Sequence, residues 1–330
     1  MWVDGYRCSL DQGEARLVKQ AAERAAGLIP AGPGAMADQL PSALSRELEA
    51  VARDSDEHGF RLVDLLAPDD IGQLPDSPTE EVPTLPDNDW TAGLLYLIAE
   101  RLGTLVGYAD EKNGVLIHDV CPARGKETFV ENVGAGDLGL HTENVHHPMR
   151  PDYLALLCLR ADHDRIGELC VGQVRAVVRE LSPDVLDVLR QPRFHSLYPT
   201  SFGLDEAGNR PCSEPHPILR GRPDAVTIRF NRHNTSGTDG EAERALRVFE
   251  SALNRVSLRI KLVPGQLVVV NNSLVVHGRT PFRPRYDGAD RWLRRCYVLR
   301  SIPDAIRPVM PRPRVLPRLP DLLTAVRSSS

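Results

Sequence analysis

The stretch GLHTENVHHPMRPDYLALLCLR, residues 139–160, carries two signals in succession. Its first half sets His141 and Glu143 two positions apart, after an approach through Gly134, Gly136 and Gly139. Its second half, DYLALLCLR (152–160), is a near-continuous apolar run, the pattern of a buried strand. On a strand, residues i and i+2 project from one face, so His141 and Glu143 would point together into one cavity. The stretch is therefore either a polar turn leading into a strand or part of a metal site carried on a sheet. H-x-E alone does not decide between them.

Downstream, LRIKLVPGQLVVVNN (258–272) reads as two strands joined through Pro264-Gly265, and RRCYVLRS (294–301) as a last strand. Between them, GEAERALRVFESAL (240–253) is a helix, and SPDVLDVLRQP (182–192) is a short one with Ser182 as N-cap and Pro183 in the first turn. Upstream, residues 11–28, QLPSALSRELEAVAR (39–53) and TAGLLYLIAERLG (91–103) have helical apolar spacing. FRLVDLL (60–66) and GVLIHDV (114–120) read as strands. The segment from Pro75 to Pro86 is a proline-rich loop, and the tail from Pro303 is expected to wrap the surface or hang loose. Helices gather first and strands follow. That order predicts an α+β fold, a β-sandwich or barrel decorated by helices, rather than a doubly wound parallel sheet.

Bulk properties exclude several classes. A net charge of −5 argues against a general nucleic-acid binder. No apolar run reaches the roughly 18 residues of a membrane span, and the N-terminus lacks a signal-peptide core. The six cysteines are scattered without a CxxC pair, as expected of reduced thiols and a cytoplasmic location.

One imidazole and one carboxylate need a third ligand. His277, in VVVNNSLVVHGRTPF, follows a buried strand and precedes a turn, which would place it at a barrel mouth. Two histidines and a carboxylate on one face of a metal leave open positions, the arrangement of non-haem Fe(II) oxygenases. His118, His146, His147 and His163 are read as structural or solvated. Arg291 lies fourteen residues after His277 (291 − 277 = 14) and could fork a carboxylate. The competing picture makes Arg279, Arg283, Arg285, Arg291, Arg294 and Arg295 a solvated basic face, which would suit most of the six.

HTENVHHPMRPDYLALLCLRADHDR and NNSLVVHGRTPFRPRYDGADRWLRRCYVLR together resemble the clavaminate synthase-like branch of the Fe(II)/2-oxoglutarate-dependent oxygenases. Within that branch they are most similar to the amino-acid hydroxylases of nonribosomal peptide pathways, which EKNGVLIHDV (111–120) also matches. The resemblance covers roughly residues 105–302. It implies a distorted double-stranded β-helix, or jelly roll, with N-terminal and inserted helices. The whole chain would be one oxygenase domain: a helix and strand part (1–104), a catalytic core (105–302) and a Pro/Arg-rich tail (303–330).

The resemblance further implies Fe(II) held by His141, Glu143 and His277, with 2-oxoglutarate anchored by Arg291 and O2 as second cosubstrate. Glu111, Asn132 and Arg295 match positions that contact an amino-acid substrate. The implied reaction is hydroxylation of an unactivated β or γ carbon of a free L-amino acid. Alternatives are a carrier-bound or peptidyl amino acid, desaturation or cyclisation, a Zn-binding barrel acting as hydrolase or isomerase, and a non-catalytic binding module. Two departures stand out. Asn231 occupies a position where relatives that bind a basic or amide side chain place aspartate, with Asp224 and Asp239 as alternatives. Leu169 and Cys170 stand where relatives often offer a hydroxyl to 2-oxoglutarate.

Overall fold

Strand β1 (Arg7–Ser9) leads into helix α1 (Gln12–Ala25), which a capping box starts: the Glu14 amide donates to Asp11 and the Asp11 amide to Glu14. This computed structural model describes residues 5–26, 37–53, 57–79, 85–86, 88–127, 134–199, 202, 208–222 and 225–328. Helix α2 (Ser42–Ala52) and strand β2 (Phe60–Asp64) follow, then α3 (Trp90–Leu102), whose first amides donate to the Asp89 carboxylate. α3 is buried along nearly its whole length because α1 crosses it closely at Gly93. A Cβ there would lie 2.0 Å from the Ala22 carbonyl oxygen, so only glycine allows the crossing.

The chain then enters β3 (Thr104–Tyr108), β4 (Ile117–Val120), β5 (Leu138–His141), β6 (Tyr153–Arg160) and β7 (Leu169–Gln173). Helices α4 (Val174–Val178) and α5 (Pro183–Leu189) come next, and Ser182 precedes α5 without a side-chain cap bond. Two short antiparallel pairs follow, β8 (Phe194–Ser196) with β11 (Thr235–Gly237) and β9 (Leu219–Arg220) with β10 (Thr227–Ile228). Helix α6 (Gly240–Val256) precedes β12 (Leu258–Ile260), β13 (Gln266–Asn271), β14 (Val275–Arg279) and β15 (Trp292–Leu299). The chain ends in β16 (Val315–Leu316) and α7 (Leu319–Ser328).

Two sheets carry the architecture. The larger runs β1-β2-β13-β6-β15-β3-β16, with β4 also paired to β15, and the smaller runs β12-β7-β14-β5. The 258–272 run crosses between them: β12 belongs to the small sheet and β13 to the large one, with the Pro264-Gly265 turn between. Side-chain alternation divides the large sheet into two faces. Trp292, Cys296 and Val298 of β15 pack toward α1–α3 with Tyr153, Leu157 and Leu267. Leu293, Tyr297 and Leu299 point the other way, into one apolar cluster with Leu140, Leu169 and Val171 of the small sheet. α6 closes the small sheet's outer side against β7.

One expectation changes. The tail runs exposed through most of residues 303–313 and only then enters the fold. β16 pairs in parallel with β3, and Leu316, Leu319 and Leu322 are buried in the core between the sheets. RRCYVLRS is therefore not the last strand. The large sheet extends beyond residues 105–302, since β1, β2 and β16 belong to it. Among the described residues no helix is long and apolar enough to cross a membrane, and all six cysteines are free.

Candidate active site

The small sheet brings the H-x-E motif and the distant histidine together. β5 and β14 are antiparallel neighbours, with His141 directly opposite His277. Their ring centroids lie 4.5 Å apart. The pairing slips just beyond His277 at Gly278, where a Cβ would sit 2.4 Å from the Leu138 carbonyl oxygen. A larger residue would push β5 away and separate the two imidazoles. Asn272, just past β13, fixes the backbone of Glu143 by accepting from its amide at 2.8 Å and donating to its carbonyl at 3.2 Å.

The ligand atoms of His141, Glu143 and His277 all lie within 4.8 Å of one another, and all three residues are buried. His141 Nδ1 bonds the Gly139 carbonyl at 2.8 Å, which fixes the tautomer and leaves a lone pair on Nε2. That lone pair faces Glu143 Oε2 at 3.4 Å, and His277 Nε2 faces the same oxygen at 3.3 Å. Glu143 Oε2 is buried and makes no hydrogen bond among the described residues. Two imidazole nitrogens and a carboxylate oxygen thus converge on one point in a low-dielectric site, an arrangement that favours a cation among them. Burial raises the Glu143 carboxyl, yet Arg295 and the two histidines outweigh it and hold it well below the usual carboxylate range. Burial, with His141 nearby, also lowers His277, so both residues are in the state a metal requires.

The large sheet faces this set with β15. Its alternation turns Arg295 and Tyr297 toward the metal-ligand set. It turns Arg294 toward the helices, where it pairs with Asp89 and, at 3.3 Å, with Asp119. Arg295 bridges two acids: Nη1 meets Glu143 Oε1 at 2.8 Å and Nη2 meets Glu111 Oε1 at 3.1 Å. Burial raises Glu111, but His118 and Arg295 prevail and hold it at about 2. Its Oε2 is buried without a hydrogen bond.

Arg291 is buried, stacked 5.7 Å from the Phe282 ring centroid. It makes no hydrogen bond or ion pair among the described residues. Arg279 lies on the same ring at 4.8 Å and spends one bond on the Gly136 carbonyl. Burial lowers Arg279 to about 9, and the neighbouring Arg291 adds to the effect. The two buried guanidinium groups lie side by side, and Asp162, whose charge reaches both, gives its carboxylate oxygens to the Ile166 and Gly167 amides at 2.9 and 3.1 Å. The picture of a solvated arginine face fails for most of the six, since Arg279, Arg291, Arg294 and Arg295 are all buried.

The remaining candidates divide. Asn132 and Asp224 lie outside the described residues. Asn231 bridges to His141 through the backbone, and its Oδ1 accepts from the His233 and Asn234 amides at 2.9 and 3.1 Å, which ties it into a turn. Asp239 caps α6 and pairs with Arg193, so it faces away from substrate duty. Cys170 and Leu169 stand opposite Gly278 and Arg279 on the neighbouring strand, and the nearby Thr280 hydroxyl is already bonded to Glu168 and Ile166. Residue reasoning missed Tyr297, Asn272 and Arg279. Tyr297 was within reach, since it stands two positions after Arg295 on a strand and must share its face.

The profile of the taurine catabolism dioxygenase TauD, TfdA family matches residues 86–297. The chain belongs to this family. As a TauD/TfdA-family protein it is an oxygenase, and its similarity extends well beyond the 105–302 core. Over 306 residues it is 35% identical to L-asparagine oxygenase of Streptomyces coelicolor, covering 90% of each chain. The solved structure of asparagine oxygenase in complex with Fe(II), 2S,3S-3-hydroxyasparagine and succinate matches with a TM-score of 0.85 at 34% identity, over 94% of this chain and 99% of that one. A non-heme iron oxygenase in complex with Fe and alpha-ketoglutaric acid matches with a TM-score of 0.81 at 27% identity, over 94% and 99% respectively. The TauD/TfdA family assignment and the converging ligand set rest on independent observations, one of sequence and one of geometry.

Proposed function

We propose that this TauD/TfdA-family oxygenase hydroxylates an unactivated β or γ carbon of a free L-amino acid, using Fe(II), 2-oxoglutarate and O2, in natural-product biosynthesis. In this reading the two sheets are the faces of a distorted double-stranded β-helix, and the chain from β1 to α7 acts as one catalytic unit. The thiols, all free, suit a cytoplasmic enzyme. The observation that carries the reading is the pairing of two sites: three converging metal-ligand atoms for a cation, and for a carboxylate a buried Arg291 with no hydrogen bond or ion pair among the described residues.

His141, Glu143 and His277 would hold Fe(II), and Arg291, beside Arg279, would fix the far carboxylate of 2-oxoglutarate. With its cosubstrates bound, the iron supplies an oxidant able to take hydrogen from a C–H bond. The chain supplies placement. Glu111 turns its free Oε2 to the α-ammonium, and its low pKa keeps it anionic wherever the enzyme works. Apolar walls from both sheets keep water away. A non-oxidative zinc site would use the same three ligands, but it has no use for the arginine pair beside them. The asparagine oxygenase complex, with a hydroxylated amino acid beside iron, supports a free amino acid over a carrier-bound one.

The test is succinate formation by metal-free enzyme given Fe(II) and 2-oxoglutarate across the proteinogenic and common nonproteinogenic amino acids, with product analysis. At least one amino acid should raise succinate well above the uncoupled background, and His141→Ala should abolish it. If none does while aminoacyl carrier proteins do, the free-substrate reading falls. Turnover that needs zinc and no O2 would remove the oxygenase reading itself.

A further inference from the structure

Two glutamates of the site share a pair of donors. Glu143 and Glu111 each give Oε1 to the same two groups, Glu111 Oε1 also lying 3.4 Å from His118 Nδ1, and among the described residues neither Oε2 has a hydrogen bond. Arg295 reaches them with different nitrogens, at 2.8 and 3.1 Å. The second donor is the Tyr297 hydroxyl, 2.8 Å from Glu143 Oε1 and 3.0 Å from Glu111 Oε1. The ring has little freedom. It is buried, meets Tyr108 and His118 edge-on, and lies under the Arg295 guanidinium at 4.5 Å. Packing therefore fixes where the oxygen sits. The phenol carries one proton between two carboxylates, and Arg295 supplies the rest of the compensation.

A carboxylate bound at one oxygen can rotate about its last bond, and among the described residues the hydrogen bonds that set that angle at Glu143 fall on Oε1, while Oε2 faces His141 and His277 at 3.4 and 3.3 Å. One donor would leave the angle loosely defined, whereas two donors from different directions fix it. We propose that Tyr297 is a positioning residue, which with Arg295 turns both glutamates so that Glu143 Oε2 faces the metal and Glu111 Oε2 faces the substrate's ammonium group. The proposal rests on the function read above and adds to it a residue that touches neither metal nor substrate.

The experiment is calorimetric titration of Mn(II), a redox-inert substitute for Fe(II), into metal-free wild type, Tyr297→Phe and His141→Ala. Outer contacts that orient a metal ligand typically change affinity by about 10–100-fold. Tyr297→Phe should weaken Mn(II) by about 10-fold or more, with the metal-free protein melting as a cooperative fold. Binding within twofold of wild type overturns the clamp and leaves the metal site standing. If His141→Ala binds Mn(II) as wild type does, the metal assignment fails, and the clamp with it. A second readout needs no variant. Mn(II) occupancy should perturb tyrosine absorption in the near ultraviolet of the wild-type protein, because Glu143 Oε1 becomes a weaker acceptor for the Tyr297 hydroxyl when the carboxylate binds a cation. A titration that saturates with no such change overturns the proposal even if Tyr297→Phe does not fold.

Discussion

Arg291 and Glu143 pose the same problem from opposite signs. Each is a buried charged group with an atom left unanswered by the rest of the protein, and burial of that kind is unfavourable unless something arrives to answer it. For Glu143 the answer is a cation, because two imidazole nitrogens converge with its free oxygen in the pattern of a metal-ligand set. For Arg291 it is an anion, because the guanidinium is buried against a ring beside another arginine and has no hydrogen bond or ion pair among the described residues. Removing the guanidinium should therefore cost the carboxylate partner rather than the fold. Arg291→Gln is expected to raise KM for 2-oxoglutarate by about 10–100-fold, the loss of a charge-assisted hydrogen bond of about 1.5–3 kcal/mol, with a smaller change in kcat. Saturation curves in 2-oxoglutarate measure it, and an unchanged KM would move the subsite elsewhere. His141, Glu143 and His277 were legible as candidates because metal chemistry restricts residue type, and the family resemblance, not the spacing, singled out Arg291 among six arginines. The substrate contacts were not, since Asn231 looks equally apt as a ligand or as a turn cap, and only the amides of His233 and Asn234 show the cap.

β15 shows what an element adds to its residues. A period of two sends Arg294 to the helix layer and Arg295 to the site, though they are adjacent and chemically identical. The tail shows the reverse. Its prolines and arginines suggest a surface segment, yet Arg314 pairs with Glu100 of α3 at 2.7 Å, both buried, and stacks 5.2 Å from Tyr96. The Arg314 carbonyl also accepts from the Gly107 amide, and Asp110 caps the turn into α7. Breaking one partner of a buried pair typically costs about 3–5 kcal/mol, because the other is left charged in the interior. Arg314→Ala should lower stability by about that amount, read as a shift of the urea midpoint with unchanged slope. A change below about 1 kcal/mol would mean the pair behaves as an exposed one.

Across the whole molecule, the layers bury histidines that no metal uses. His146 lies between Tyr198 and Phe202, at 4.7 and 4.3 Å. Burial lowers His146 to about 2, and lowers His147 and His216 to about 3. The unfolded chain takes up these protons near pH 6.5 while the folded one refuses them. The unfolded state thus binds more protons below that pH, and stability falls as pH falls. All of this stability is present above about 6.5, and it is lost progressively toward about 3. Each histidine gives up about 1.4 kcal/mol by pH 5.5, so the urea midpoint should drop clearly between pH 7 and 5.5. His146→Leu should flatten that dependence, since its ring nitrogens make no hydrogen bond among the described residues. A midpoint that does not move over this range would contradict the burial argument.

The sequence by itself determined the helical opening, the strand runs and the identity of the ligand set. Periodicity is a local property, and few residue types can bind a metal or fork a carboxylate. The tertiary structure alone decided which strands share a sheet. It placed β12 and β13 in different sheets despite their adjacency, and it carried Leu316, Leu319 and Leu322 of the tail into the core. It also decided that four of the six C-terminal arginines are buried, and that Tyr297 serves both glutamates. These facts depend on pairings between residues more than a hundred positions apart, such as His141 with His277. No local pattern encodes such a pairing; it is fixed only when two sheets bury their facing sides against each other.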